Sequence, residues 1–224
     1  MKPEKQYEVQ TYSELEEKLN VWSHFLGFVL SIAALVLLIL RAVDLKDTWV
    51  AISFPVFGVS MVILYMASTL YHRSKDPEVR YRLKIFDHSA IYVLIAGTYT
   101  PFVLVTLNGT EGWVIFSVVW LIALVGIIFK IFLTGKFKIL STLLYVAMGW
   151  IIIFSFRSLV QNLDYNGLVW LISGGLAYTV GAVLYSIEKI KLNHAIFHIF
   201  VLMGTFCHFI SVYLYVVPVA ADLA

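Results

Sequence analysis

Charge is what this sequence has least of. Asp, Glu, Lys and Arg make up 13% of its 224 residues, while 61% are hydrophobic and the mean hydropathy is +0.88. A soluble domain carries about 25% charged residues, so water is excluded as the principal solvent and lipid takes its place. One cysteine, Cys207, excludes an intrachain disulfide and leaves the redox compartment unread. A formal net charge of +2 gives no electrostatic footprint for nucleic acid. The first residues include Glu4, Glu8, Glu14, Glu16 and Glu17, and they lack the basic-then-apolar layout of a cleaved signal peptide. No low-complexity linker divides the chain. The expectation is one membrane domain over 20–224 behind a short polar N-terminal segment, 1–19.

Long apolar runs are what the sequence does have. A helix needs about 20 apolar residues to cross the hydrocarbon core with its backbone satisfied internally. Seven stretches qualify: 20–40, 49–72, 86–108, 112–130, 138–157, 165–187 and 193–217. The polar breaks between them are short, which predicts an all-α integral membrane protein, a seven-transmembrane-helix bundle of antiparallel neighbours. On the sixth run Ser173, Ala177 and Gly181 predict a stripe of close helix packing. Pro55 and Pro101 should loosen the second and third helices. Trp22, Trp49, Trp113 and Tyr215 suit interfacial belts.

Basic residues are distributed unevenly. Lys2, Lys5 and Lys18 precede the first run, and the second, fourth and sixth loops hold Arg73, Lys75, Arg80, Arg82, Lys84, Lys130, Lys136, Lys138, Lys189 and Lys191. The opposite side has Arg41, Lys46 and Arg157 alone. Under the positive-inside rule the N-terminus is cytoplasmic and the C-terminus outside.

That topology brings distant histidines to one depth. His72 ends the second run, while Asp87, His194 and His198 fall in the first turns of the third and seventh. His194 and His198, spaced i and i+4, project from one helix face about 6 Å apart, which suits two ligands of one metal. Ser68 stands four residues before His72 on its own face. Three histidines with an open fourth position make a catalytic zinc arrangement. Beside it Asp87 would hold water or act as general base, with Ser68 orienting it or donating to an oxyanion. A blander reading stays open: an HxxxH pair alone is a weak signal, histidines at a membrane edge also meet headgroups or carbonyls, and Asp87 has Lys84 and Arg82 as available ion partners.

The remaining histidines carry less. His208 lies ten residues past His198, about 15 Å deeper by helix rise, and reads as a hydrogen-bonded core histidine. His88 reads as interfacial. Glu17 with Asn20 reads as a cap of the first helix, and His24 has no assigned chemistry.

Several blocks in order give the chain a resemblance. Glu17-Lys-Leu-Asn20 with His24 and Gly27, then Ser68 with His72, then Asp87 with Gly97-Thr-Tyr-Thr-Pro101, and finally His194 with His198 resemble the haemolysin III family. This is the bacterial branch of the progestin and adipoQ receptor family, and the match covers nearly the whole chain. The resemblance implies seven helices with a cytoplasmic N-terminus, and a Zn2+ ligated by His72, His194 and His198 with Asp87 and Ser68 beside it. The wider superfamily includes alkaline ceramidases, so it further implies a zinc-dependent hydrolase of a lipid amide or ester.

The expected location is the plasma membrane, multi-pass, with a membrane lipid as substrate or ligand and no nucleic-acid partner; the oligomeric state stays open. Two other functions compete. One is a receptor-like or membrane-stress protein in which zinc is structural. The other is a haemolytic, cytolytic pore, which calls for a polar stripe along several spans. The outer halves of the runs are almost uniformly apolar, with Arg41, Asp44, Arg157 and Asp164 confined to their ends.

Overall fold

The computed structural model describes residues 11–134 and 137–218. Lys2, Lys5, Glu4, Glu8 and Lys136 of the charge pattern lie outside them. All regular structure among the described residues is helical, with no strand. The helices are α1 (Glu14–Leu45), α2 (Thr48–Arg73), α3 (Pro77–Pro101), α4 (Gly109–Leu133), α5 (Lys138–Gly149), α6 (Phe156–Asn162), α7 (Tyr165–Ser186) and α8 (Asn193–Tyr215). Among the described residues seven helical stretches are long and apolar enough to span a membrane, with α5 and α6 forming the fifth together.

Sequence reasoning placed several boundaries too far inward. Ser13 caps α1, its Oγ accepting from the Glu16 backbone N–H at 3.2 Å. The helix therefore starts six residues before the apolar run, and Glu17 and Asn20 are free for other work, correcting their reading as a cap. In α3, Asp76 accepts from the N–H groups of Glu78 and Val79 and Pro77 occupies the first turn. The supposed loop up to Lys84 is thus mostly helix, and Asp87 sits in the third turn, not the first. Charge set those sequence limits, but a span continues as helix well beyond the hydrocarbon.

The two prolines behave differently. Pro55 is absorbed within an unbroken α2. After Pro101 the backbone widens into a π-helical segment, Phe102–Leu107, because proline removes a backbone donor and crowds the preceding turn. The fifth span is also interrupted: a 3₁₀ segment, Ile151–Ser155, separates α5 from α6. Tyr99 stabilises that break, its hydroxyl donating toward the Gly149 carbonyl at 2.8 Å and accepting from the Ile152 N–H at 3.0 Å.

The buried core lies along α1, α2, α3 and α8, with Phe54, Phe57, Met61, Tyr65 and Val212 at its centre. Outward faces of α1, α4 and α5 carry exposed Leu, Ile, Val and Phe, as lipid requires. The expected stripe on α7 is corrected. Ser173 is exposed, and the contact row is Gly167, Gly174 and Gly181, every seventh residue. A Cβ at Gly167 would meet Tyr215 Cβ at 2.6 Å, one at Gly174 would strike the His208 ring, and one at Gly181 would meet Phe200 Cβ at 2.6 Å. Only hydrogen fits at those points, so α7 and α8 pack along their whole length. At the end opposite the basic loops, Trp49 and Trp113 meet edge to face at 5.2 Å, as an aromatic belt does.

Candidate metal centre

His72 comes from the last turn of α2, and His194 and His198 from the first turns of α8. All three are buried, and their ligand nitrogens lie within 4.8 Å of one another. His194 Nε2 is 3.0 Å from His72 Nε2 and 3.0 Å from His198 Nε2. Tetrahedral metal–nitrogen bonds of about 2.1 Å separate ligand nitrogens by a similar span.

The other ring nitrogens decide which atoms face inward. His72 Nδ1 lies 2.8 Å from Glu17 Oε2. An ionised carboxylate only accepts, so this nitrogen carries the hydrogen and Nε2 keeps its lone pair. Ser23 Oγ already donates to the Asn20 carbonyl at 3.2 Å and therefore accepts from His198 Nδ1 at 3.3 Å. Tyr12 Oη stands 3.2 Å from His194 Nδ1, where it can accept in the same sense. With the outer nitrogens protonated, three Nε2 lone pairs face one another, His194 Nε2 standing 3.0 Å from each of the other two, and they repel unless a cation lies between them. The residues fit a metal ion on these grounds, and the triad could hold one.

The first turns of α1 supply most of this support. Glu17 also binds Arg80 through Oε1, and the Asn20 amide lies 3.4 Å from His72 Nδ1. Glu16 Oε1 accepts from the His194 backbone N–H at 3.1 Å. It caps α8 from another helix, because Leu192, with φ of +59°, offers no side-chain cap there. Sequence reasoning missed these roles for Tyr12, Glu16 and Ser23. Glu17 and Asn20 were noticed only as parts of a recurring block, and nothing in their spacing points to a residue 52 or more positions away.

The triad opens into a cavity of about 220 Å³. Its wall includes His194, His198, Asp87 and Ser68, so four of the five expected site residues face one space, with His72 behind them. His24 also lines it, stacked on His198 at 3.5 Å with an interplanar angle of 11°. His88 is not interfacial: it lines the cavity, and its Nδ1 donates to the Lys84 carbonyl at 2.8 Å. It sits 3.5 Å from Asp87 Oδ2. His208 is the expected core histidine, its Nε2 donating to the Leu171 carbonyl at 3.1 Å, and it forms the cavity's deep end. Leu64, Leu94, Ile95, Val146 and Val201 make much of the wall between.

Residues 12–209 match the family described as Haemolysin-III related. The chain belongs to that family. It is similar to Hemolysin-3 of Bacillus cereus, 47% identical over 206 residues, which covers 92% of this chain and 94% of that one. It is equally similar to the Hemolysin-3 homolog of Bacillus subtilis (strain 168), 47% identical over 204 residues, 91% of this chain and 96% of the relative. The monocyte to macrophage differentiation factor of Homo sapiens is 28% identical over 176 residues, 75% of this chain and 72% of its own. A haemolysin III-related chain with seven apolar helices among its described residues is a multi-pass membrane protein, and its histidine triad joins the second and last of those spans.

Proposed function

We propose that this protein is a zinc-dependent hydrolase of a lipid amide or ester, resident in the plasma membrane with its N-terminus cytoplasmic. His72, His194 and His198 hold the ion. Bound there, zinc polarises a carbonyl and acidifies a water molecule. Asp87 takes the proton from the attacking water at its carboxylate and returns it to the leaving nitrogen or oxygen as the acyl bond breaks. Ser68 orients that carboxylate from α2. The observation that carries the reading is the single cavity in which Asp87 and Ser68 share a wall with two triad histidines, continued by apolar side chains as far as His208. Ten residues of helix separate His198 from His208, about 15 Å, room for an acyl chain.

The test is hydrolysis of a panel of ceramide-like lipids by detergent-purified protein, comparing wild type with Asp87→Asn at matched zinc content. Turnover should fall by about 10²–10⁴-fold, the usual share of a general base, while metal stays bound. Equal turnover, or no product from either protein, would count against a hydrolase.

One observation favours a second reading, a receptor-like or membrane-stress protein with structural zinc. The triad ties α2 to α8, and its outer partners tie both to α1. In that case Asp87→Asn changes function little, whereas ligand variants lower thermal stability and abolish function together. A haemolytic pore has less support, since the buried hydroxyls of Ser60, Thr98 and Thr100 bond to carbonyls of their own helices.

A further inference from the structure

Lys130 stands in the last turn of α4, where a lysine can extend past the helix end to water or headgroups, the usual course for basic residues near the ends of spans. This one turns inward. It is 4% exposed, its Nζ donates to Ser141 Oγ on α5 at 2.5 Å, and it lies 5.6 Å from the centre of the Tyr145 ring. Lys84 on α3 is also buried, at 8% exposed, and both lysines line the cavity that contains His194, His198 and Asp87. Hydrogen bonds join the three helices at this level: Lys130 ties α4 to Ser141 on α5, and Tyr145 Oη of α5 donates to the His88 carbonyl of α3 at 2.9 Å.

Like charges gathered in one buried cavity repel strongly, because low dielectric screens them poorly. Among the described residues the cavity wall carries these two ammonium groups and one carboxylate, Asp87, and a divalent ion on the triad would add to the positive excess. The cavity therefore favours a negatively charged guest. Its apolar depth beyond Asp87 favours a guest that also carries a hydrocarbon chain.

We propose that Lys84 and Lys130 form an anion subsite at the basic-loop end of the cavity, which takes the phosphate or carboxylate headgroup of an amphiphile whose chain runs inward toward His208. The proposal rests on the reading of this cavity as a lipid site and narrows its substrate class to anionic lipids. It requires binding, not turnover.

The experiment uses metal-loaded protein in phosphatidylcholine nanodiscs, titrated calorimetrically with dodecyl phosphate, dodecanol and inorganic phosphate. Wild type should bind dodecyl phosphate about tenfold or more tighter than Lys130→Gln or Lys84→Gln, as loss of a charge-assisted hydrogen bond requires. Dodecanol should bind all three alike. Lys130→Arg should keep the preference for dodecyl phosphate. Lys84→Gln gives the same reading from a different helix should Lys130→Gln fail to fold, and melting curves identify such a failure. Dodecyl phosphate affinity unchanged in both Gln variants would overturn the subsite. Inorganic phosphate binding as tightly as dodecyl phosphate would overturn the amphiphile, and binding lost on His194→Ala but kept in the Gln variants would place the anion on the metal instead. Asp87→Asn should bind dodecyl phosphate at least as well as wild type, so an absence of hydrolysis leaves this result standing on its own.

Discussion

Glu17→Ala tests the centre at its least visible point. Glu17 Oε2 receives the His72 Nδ1 hydrogen at 2.8 Å, which fixes the tautomer and the ring plane, and Oε1 holds Arg80 in turn. Removing the carboxylate releases the imidazole to rotate and lowers its basicity, and it leaves a guanidinium beside a histidine about to bind a cation. Outer partners of this kind contribute about ten- to a hundredfold in metal affinity, or about 1.4–2.7 kcal/mol. Glu17→Ala should fall toward the upper end because both oxygens are engaged. Glu17→Gln keeps an acceptor but not the charge and should lose about tenfold. The assay is competition for zinc against a chromophoric chelator, with metal content measured independently. Wild-type affinity in Glu17→Ala would refute the argument that this carboxylate fixes the tautomer.

Replacing His72, His194 or His198 by Ala should strip the metal, while His88→Ala and His208→Ala leave its content nearly intact; equal loss across all five would disprove the assignment of ligands. Because the ligands bind as neutral imidazoles, protons compete for the same lone pairs. Occupancy measured against pH should be full near neutrality and be lost on acidification. Reporter fusions after residue 80 should read cytoplasmic and a C-terminal fusion should read outside; a cytoplasmic C-terminus would break the seven-span arrangement.

Much of this was legible in the sequence because membrane physics is one-dimensional. Apolar length counted the spans, and alternation of direction put His72, His194 and His198 at one depth before any coordinates were needed. What stayed hidden was whatever depends on rotation about a helix axis. Asp87 was found but placed two turns too early, since Pro77 and Asp76 start α3 in a stretch that charge had marked as loop. The Ser173, Ala177 and Gly181 row was chosen by four-residue spacing, whereas the antiparallel partner sets a seven-residue row through Gly174. His88 adjoins Asp87 in sequence and reads there as interfacial, yet it lines the cavity and its Nδ1 lies 3.5 Å from Asp87 Oδ2. Tyr12, Glu16 and Ser23 could not be found at all, because hydroxyls and acids near a helix start look the same whether they meet water or a ligand's far nitrogen.

The start of α1 has a kinetic consequence. Tyr12, Glu16 and Glu17 lie across the ends of both helices that carry the triad, so with zinc bound as proposed a chelator approaching from that side would have to wait for those contacts to break. Affinity and exchange rate then become separate properties. Zinc extraction by excess chelator should be slow and should level off as chelator concentration rises, its ceiling set by how often the first turn of α1 unwinds. In Ser13→Ala, which removes the cap of that turn, the ceiling should rise severalfold while the triad keeps its own donors, giving a protein that binds zinc nearly as well at equilibrium but surrenders it faster.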